Sequence, residues 1–247
     1  MNKVGCYIHI PFCQKKCYYC DFCAYMNVEH RIDNYINNLI KEIKIYQDKL
    51  SCEIDSIYIG GGTPSYIDGK YIEKIRRALE GFKIDYIKEF TIECNPNSIS
   101  KDKLLLYKDL GINRISLGVQ SFDDKVLKAI GRNHTAAIAL SDIDLIRNVG
   151  FDNLSFDLML NLPNQDYNSV KNDLEMVKKI SPEHISWYSL ILEEGSRFYT
   201  LEKKGKLDLM DDDKEVHIFN ELVGELEKIG LKRYEVSNFA KDGYQSF

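Results

Sequence analysis

The sequence predicts an α/β fold: a partial (β/α)6 barrel with a polar-lined cavity. Three observations predict it. Strand-like apolar runs alternate with stretches of helical periodicity along most of the chain, which implies a parallel sheet with right-handed crossovers. Six of the strand-like runs carry small or polar residues on one parity and apolar residues on the other. At 247 residues, the chain is long enough to bury one large core.

The elements follow in order. Val4 to Ile10 reads as the first strand. A helix is expected from about Val28 to Leu50, with Ile32, Tyr35, Ile36, Leu39, Ile40, Ile43 and Tyr46 at helical spacing. Ile54 to Ile59 is a second strand, stopped by Gly60-Gly61-Gly62. Tyr71 to Leu79 is helical, and Phe90 to Cys94 is a third strand ended by Asn95-Pro96. Lys101 to Leu110 is a helix with Gly111 as its stop, and Ile112 to Val119 is a fourth strand. Helical sequence then runs to Val149 with a break near Gly131. Leu154 to Met159, a helix from Val170 to Ile180, and Ile185 to Leu190 complete the six strands. Asp211 to Ile229 is the last clear helix.

Side-chain parity bears on function. One face of the six strands collects Tyr7, His9, Tyr58, Gly60, Thr91, Glu93, Ser116, Gly118, Gln120, Ser155, Asp157, Ser186 and Tyr188. The other is apolar: Ile57, Ile59, Ile115, Leu117, Val119, Leu154, Phe156 and Leu158. A packed barrel interior is filled with branched apolar residues. Here the apolar set belongs under the helices and the polar set lines a cavity. The plainer alternative is solvent on one face of some strands, but such positions would be richer in Lys and Glu.

Net charge is −5, and the lysines are spread along helical segments as solvated faces. That argues against a broad nucleic-acid surface. No targeting segment and no transmembrane segment is evident, so a cytoplasmic location is expected. Seven cysteines in such a protein are rarely a disulfide framework, and four of them fall between Cys13 and Cys23.

Cys13-x-x-x-Cys17-x-x-Cys20 follows the first strand. On an ideal helix these thiols would spread over roughly 10 Å of axis. Pro11 and the Tyr18-Tyr19 pair suit a wrapped loop instead. Three thiolates around a four-iron cube leave one iron open, whereas electron-transfer clusters usually have four Cys ligands. Structural zinc would call for a second cysteine pair, and none is present. Cys6, Cys52 and Cys94 are expected to be buried and inert, and Cys23 to be a free thiol.

Tyr7-Ile-His-Ile-Pro-Phe-Cys13 through Cys20-Asp-Phe resembles the cluster motif of the radical S-adenosylmethionine (SAM) superfamily. More narrowly, the chain resembles the oxygen-independent coproporphyrinogen III oxidase-like family. Gly60-Gly-Gly-Thr-Pro-Ser65, Glu93-Cys-Asn-Pro96, Asn113 to Phe122, Gly131-Arg-Asn-His134, Asp157-Leu-Met and Pro182 to Ser186 carry the likeness across the chain. The oxidase branch has a fourth cysteine where this chain has Phe22. Cys20-Asp-Phe, Glu193-Glu-Gly195 and Tyr234 to Ala240 resemble the heme-chaperone branch instead.

The resemblance implies a radical SAM-type partial barrel, with a [4Fe–4S] cluster on Cys13, Cys17 and Cys20 and SAM on the open iron. In that chemistry a reduced cluster passes one electron to the sulfonium and a carbon–sulfur bond breaks. Tyr7, Gly61 and Glu93 match contacts to the cluster-bound SAM, and Glu93 is placed to accept from a ribose. Tyr19, Gly62, Thr63, Gln120, Arg132 and Asp157 match contacts to a second SAM in the oxidase branch. His134 is expected to be a turn or capping residue. The implied partners are heme or a porphyrinogen and a reductant such as a flavodoxin or ferredoxin. The implied function is a heme chaperone; the alternative is an oxidase that decarboxylates porphyrinogen propionates. Family members continue into a smaller domain, with a His-Asn-x-x-Tyr-Trp heme motif soon after the segment matching Gly243 to Ser246. Residues 1–236 are thus expected to form the core and 237–247 to begin a C-terminal region otherwise missing, a truncation that would weaken heme binding.

Overall fold

The computed structural model describes residues 2–84 and 86–247. The chain runs β1 (Asn2–Ile10), a cysteine-bearing loop, a 3-10 turn at Glu29–Arg31, then α1 (Ile32–Lys49). β2 (Cys52–Gly61) leads through a second 3-10 turn at Pro64–Tyr66 to α2 (Gly69–Leu79). β3 (Glu89–Cys94), α3 (Lys101–Asp109), β4 (Arg114–Gln120), α4 (Asp124–Ala129) and α5 (Ala136–Val149) follow. β5 (Asn153–Leu160), α6 (Tyr167–Ile180), β6 (His184–Ser189), α7 (Arg197–Glu202), α8 (Asp212–Lys228), β7 (Lys232–Arg233) and β8 (Asn238–Ala240) complete it.

β1 to β6 are parallel and lie side by side in chain order. This is the six-stranded partial barrel the alternation predicts. Two short strands extend it: β8 pairs antiparallel with β6, and β7 with β8. The edge strands β1 and β7 make no ladder with one another among the described residues, so the sheet is open. The boundary expected at residue 236 falls between β7 and β8.

The parity reading holds. Ile57, Ile59, Ile115, Leu117, Leu154, Phe156 and Trp187 are fully buried in one core beneath the helices. Burial on this scale is the main stabilising term of the fold. Several helices start on a side-chain cap at the C-terminal end of the sheet. Asp68, Ser100, Thr135 and Asp166 accept from first-turn amides of α2, α3, α5 and α6. Loops at that end of a parallel sheet carry its sites.

Four expectations need correction. Gly60 and Gly61 do not stop the second strand; they continue it, opposite His9 and Ile10 of β1. The first α-helix begins at Ile32, because residues 29–31 form a 3-10 turn. Cys6 and Cys52 are half-buried rather than buried, because both lie by the open β1 edge. His134 is not the cap: Thr135 caps α5, while the buried His134 reaches Val119 O through Nε2 at 3.2 Å. Burial and the nearby Arg132 cation push its imidazole pKa down to about 3.

Candidate functional site

The cysteine loop is wrapped, as its composition suggests. Tyr25 N donates to Pro11 O at 2.9 Å, and Cys13 N donates to Tyr25 O at 3.0 Å. Tyr18 N reaches across to Ile130 O at 3.0 Å. These bonds hang the three thiols over the C-terminal ends of β2 to β6. There Cys13, Cys17 and Cys20 line one pocket of about 280 Å³.

The same pocket gathers most of the residues singled out in the sequence. Gly61, Gly62 and Thr63 line it at the end of β2, with Glu93 bonded beside Gly61 and Asp157 on the same floor. Tyr19, Gln120 and Arg132 complete the set. Tyr7 is outside it. Its side chain is 59 % exposed and bonds His9 Nδ1 at 3.0 Å. It meets the site by stacking on Tyr58, with ring centroids 6.1 Å apart. Tyr58, Asn95, Ser186 and Tyr188 also line the pocket without a role assigned from the motifs. Parity already placed Tyr58, Ser186 and Tyr188 on the polar face, and Asn95 lies inside a motif quoted for its glutamate.

The glycines are needed for close approach. A Cβ on Gly62 would lie 2.8 Å from Phe12 O and 3.0 Å from Cys13 Sγ. Gly61 has a φ of +119° and would collide with the His9 ring at 2.7 Å. So the end of β2 is pressed directly against the cysteine loop, with Gly62 N donating to Ile10 O at 2.9 Å and Thr63 N to Phe12 O at 2.9 Å.

Two carboxylates face the pocket. Glu93 accepts from Tyr58 OH at 2.8 Å and from Gly61 N at 3.0 Å. Burial nonetheless pushes its pKa up to about 7, with the neighbouring Asp157 adding to the rise. Burial also raises the Asp157 pKa, against the Arg114 cation and the hydroxyls of Ser186 and Ser116. Gln120 sits at a bulge with a φ of +71°, where its side chain accepts from Tyr188 OH at 3.2 Å.

The donor set fits a four-iron cube better than a single ion. Among the described residues no three His, Cys, Asp or Glu side chains converge on one metal position. The ligands of a cube bind different irons, so their sulfurs need to surround a volume rather than meet at a point. Burial raises the Cys13 and Cys20 thiol pKa values, which iron binding offsets by taking the thiolate. Cys23 is exposed, and its sulfur lies 3.5 Å from Tyr25 OH. It does not line the pocket that the other three share.

No helix among the described residues is long and apolar enough to cross a membrane. The chain is 38 % identical over 241 residues to the heme chaperone HemW of Lactococcus lactis, covering 97 % of this chain and 63 % of that protein. It is 37 % identical over 245 residues to HemW of Bacillus subtilis, covering 97 % and 64 %. The chain thus spans under two thirds of the length of these relatives. The structure superposes on coproporphyrinogen III oxidase (HemN) of Escherichia coli with a TM-score of 0.87 at 26 % identity, covering 98 % of this chain and 56 % of that one. The sequence pattern of the Radical SAM superfamily matches residues 7–177, from within β1 to within α6. The partial barrel, the three-cysteine loop and this match lead to one conclusion: the chain belongs to the Radical SAM superfamily.

Proposed function

We propose that the chain acts as a heme chaperone, or as the radical SAM core of one. It would hold a [4Fe–4S] cluster on Cys13, Cys17 and Cys20 with SAM beside it. The observation that carries this reading is the convergence of those cysteines, Gly61 and Gly62 at the end of β2, Glu93 and Asp157 on one pocket. Membership of the superfamily implies the cluster and SAM. A bound cluster would supply one-electron reduction of an adjacent sulfonium.

The chain's own residues would do the positioning. Bare backbone at Gly61 and Gly62 gives an amino group room to approach. Glu93, oriented by Tyr58 and Gly61, has lone pairs left for a ribose hydroxyl. A cationic ligand between Glu93 and Asp157 would hold both carboxylates ionised despite their burial. Tyr19, Gln120, Arg132 and Thr63 would line the remaining walls. The seven free cysteines suit a reducing compartment, in keeping with a cytoplasmic location and a small flavodoxin- or ferredoxin-type reductant.

Phe22 separates the two branches. It lines the pocket where the oxidase spacing places a fourth cysteine, and a phenyl ring cannot replace a thiolate. The names of the relatives favour the same branch. Heme finds few free axial ligands in the barrel. His9 bonds Tyr7 OH and Cys23 O, and His184 bonds Ser155 and Tyr234. The test is anaerobic reconstitution, then incubation with SAM, a reductant and either coproporphyrinogen III or heme. The expected result is unchanged porphyrinogen and a weak, saturable Soret shift. A vinyl product would make the protein an oxidase, and no Soret change would remove heme from the reading. Tight one-to-one binding would place a strong heme ligand inside the barrel.

A further inference from the structure

Two of the three cluster cysteines are joined by a continuous run of side-chain hydrogen bonds. Thr63 Oγ1 lies 3.4 Å from Cys13 Sγ. Asn95 Nδ2 donates to Thr63 Oγ1 at 3.1 Å. Asn95 Oδ1 accepts from Arg132 NH2 at 2.7 Å, and Arg132 NH1 donates to Cys17 Sγ at 3.4 Å. The members come from the turn after β2, the loop after β3 and the loop after α4. Each is tied down by its backbone or a second bond. Thr63 N donates to Phe12 O at 2.9 Å, Asn95 N donates to Ser65 Oγ at 3.1 Å, and Arg132 NH2 also donates to Gly118 O.

With Cys13 and Cys17 as cluster-bound thiolates, which can only accept, the chemistry of the groups fixes the direction of every bond. Arginine only donates, so the amide oxygen of Asn95 has to face it. The amide nitrogen then faces Thr63, whose oxygen accepts there. The single hydroxyl proton of Thr63 is left for Cys13. Both ends of the run therefore point a donor at a ligand sulfur. Arg132 is a buried cation whose three acceptors are Asn95 Oδ1, Gly118 O and the Cys17 sulfur, a thiolate when it holds the cluster. A buried charge needs a partner of opposite sign. Gly118 leaves room for this arrangement: a Cβ there would lie 3.1 Å from Asn95 Oδ1.

We propose that Thr63, Asn95 and Arg132 form a hydrogen-bonded belt that sets the reduction potential of the cluster, with Asn95 as the positioning residue that orients both terminal donors. The proposal rests on the cluster assignment above. Donors to ligand sulfur stabilise the more negative, reduced state, so the belt raises the potential.

The test compares midpoint potentials of the reconstituted protein without SAM, at equal iron content, for the native chain and for Thr63→Val, Thr63→Ser and Asn95→Asp. Thr63→Val removes the donor to Cys13 at nearly constant shape. Asn95→Asp exchanges the amide donor for an acceptor, which turns the Thr63 proton away from Cys13. Both are expected to have a more negative midpoint. At the native midpoint their reduced-to-oxidised ratio should fall severalfold, with about tenfold as the ceiling, because only the part of the hydrogen-bond energy that differs between the two states counts. Thr63→Ser keeps the hydroxyl and is expected to match the native protein. The belt is refuted if Thr63→Val and Asn95→Asp keep the native midpoint, or if Thr63→Ser falls as far as Thr63→Val. Should Thr63→Val fail to load iron, Thr63→Ala takes its place, since Asn95→Asp also adds a negative charge that lowers the midpoint by itself. A native protein that takes up no cluster refutes the cluster assignment instead, so the two failures are distinct.

Discussion

Replacing Asp173 should change stability by an amount that depends on pH in a calculable way. Asp173 lies on α6, is 0 % exposed, and holds the loop that follows β4. It accepts from Phe122 N at 2.6 Å and from Ser121 Oγ, 2.8 Å from its nearer oxygen. Ser121 Oγ itself accepts from Asp123 N at 3.1 Å, so its proton is free for the carboxylate. Asp173→Ala leaves two buried donors unpaired, a cost of about 2–6 kcal/mol at about 1–3 kcal/mol each. Asp173→Asn keeps an acceptor for Phe122 N and should cost about 1 kcal/mol or less in the acid range. Burial, with Asp123 adding to it, pushes the native carboxyl pKa from 3.8 up to about 7. A raised carboxyl pKa favours the folded state while the proton is on. The native protein therefore loses stability as pH rises from about 4 through about 7, by about 4 kcal/mol at most. The amide does not titrate. Subtracting the two denaturant curves cancels the groups that do not interact with residue 173. Asp173→Asn should gain on the native protein by several kcal/mol between pH 5 and pH 8. A difference constant to about 1 kcal/mol across that range would refute the buried-carboxyl argument.

Other outcomes follow from the site. Cys13→Ala, Cys17→Ala and Cys20→Ala should each fail to hold four irons after reconstitution, while Cys23→Ala should match the native iron count; equal loss in Cys23→Ala would overturn the three-ligand assignment. SAM added to the reduced cluster should change its paramagnetic resonance spectrum, and Glu93→Ala should need roughly tenfold more SAM for the same change, as one charged hydrogen bond is lost. No spectral change in the native protein would sink the SAM reading. Burial of His184, with the neighbouring Arg114 cation adding to it, holds its pKa down to about 3. A depressed histidine pKa gives stability that is present above about pH 6.5 and lost as pH falls towards 3, by up to about 5 kcal/mol. Urea midpoints should drop across that window, and His184→Asn should flatten the drop; an unchanged slope would show that His184 does not titrate there.

Much of this was legible because a two-residue period leaves few readings. Ile57, Ile115 and Phe156 could only be core once Tyr58, Ser116 and Asp157 faced the other way. The cysteines were legible from spacing, which needs no tertiary information. Other features were hidden for physical reasons. β7 and β8 are two and three residues long, too short to show a period. Gly60 and Gly61 read as punctuation because their strand role depends on what they touch, the Tyr58 and Glu93 side chains for one and the His9 ring for the other. Asn95 gave no signal of its own, since its partners Thr63 and Arg132 lie 32 and 37 residues away. His134 looked like part of a turn because nothing local reveals that Val119 O waits for it.

The pairing of the cysteine loop with residues far along the chain has a consequence for biosynthesis. In β1 to β6 every strand pairs with the one made just before it. The barrel can therefore grow stave by stave as the chain leaves the ribosome, in N-to-C order. The cysteines emerge early, but their surroundings do not. Thr63 follows Cys13 by 50 residues, and Arg132 follows Cys17 by 115. Tyr18 has no docking edge until Ile130 is made. A nascent chain stopped after β2 would present three loosely held thiols to any oxidant or stray metal. A cluster held by these thiols would gain its full surroundings only after the fourth strand–helix unit, once Arg132 has been made.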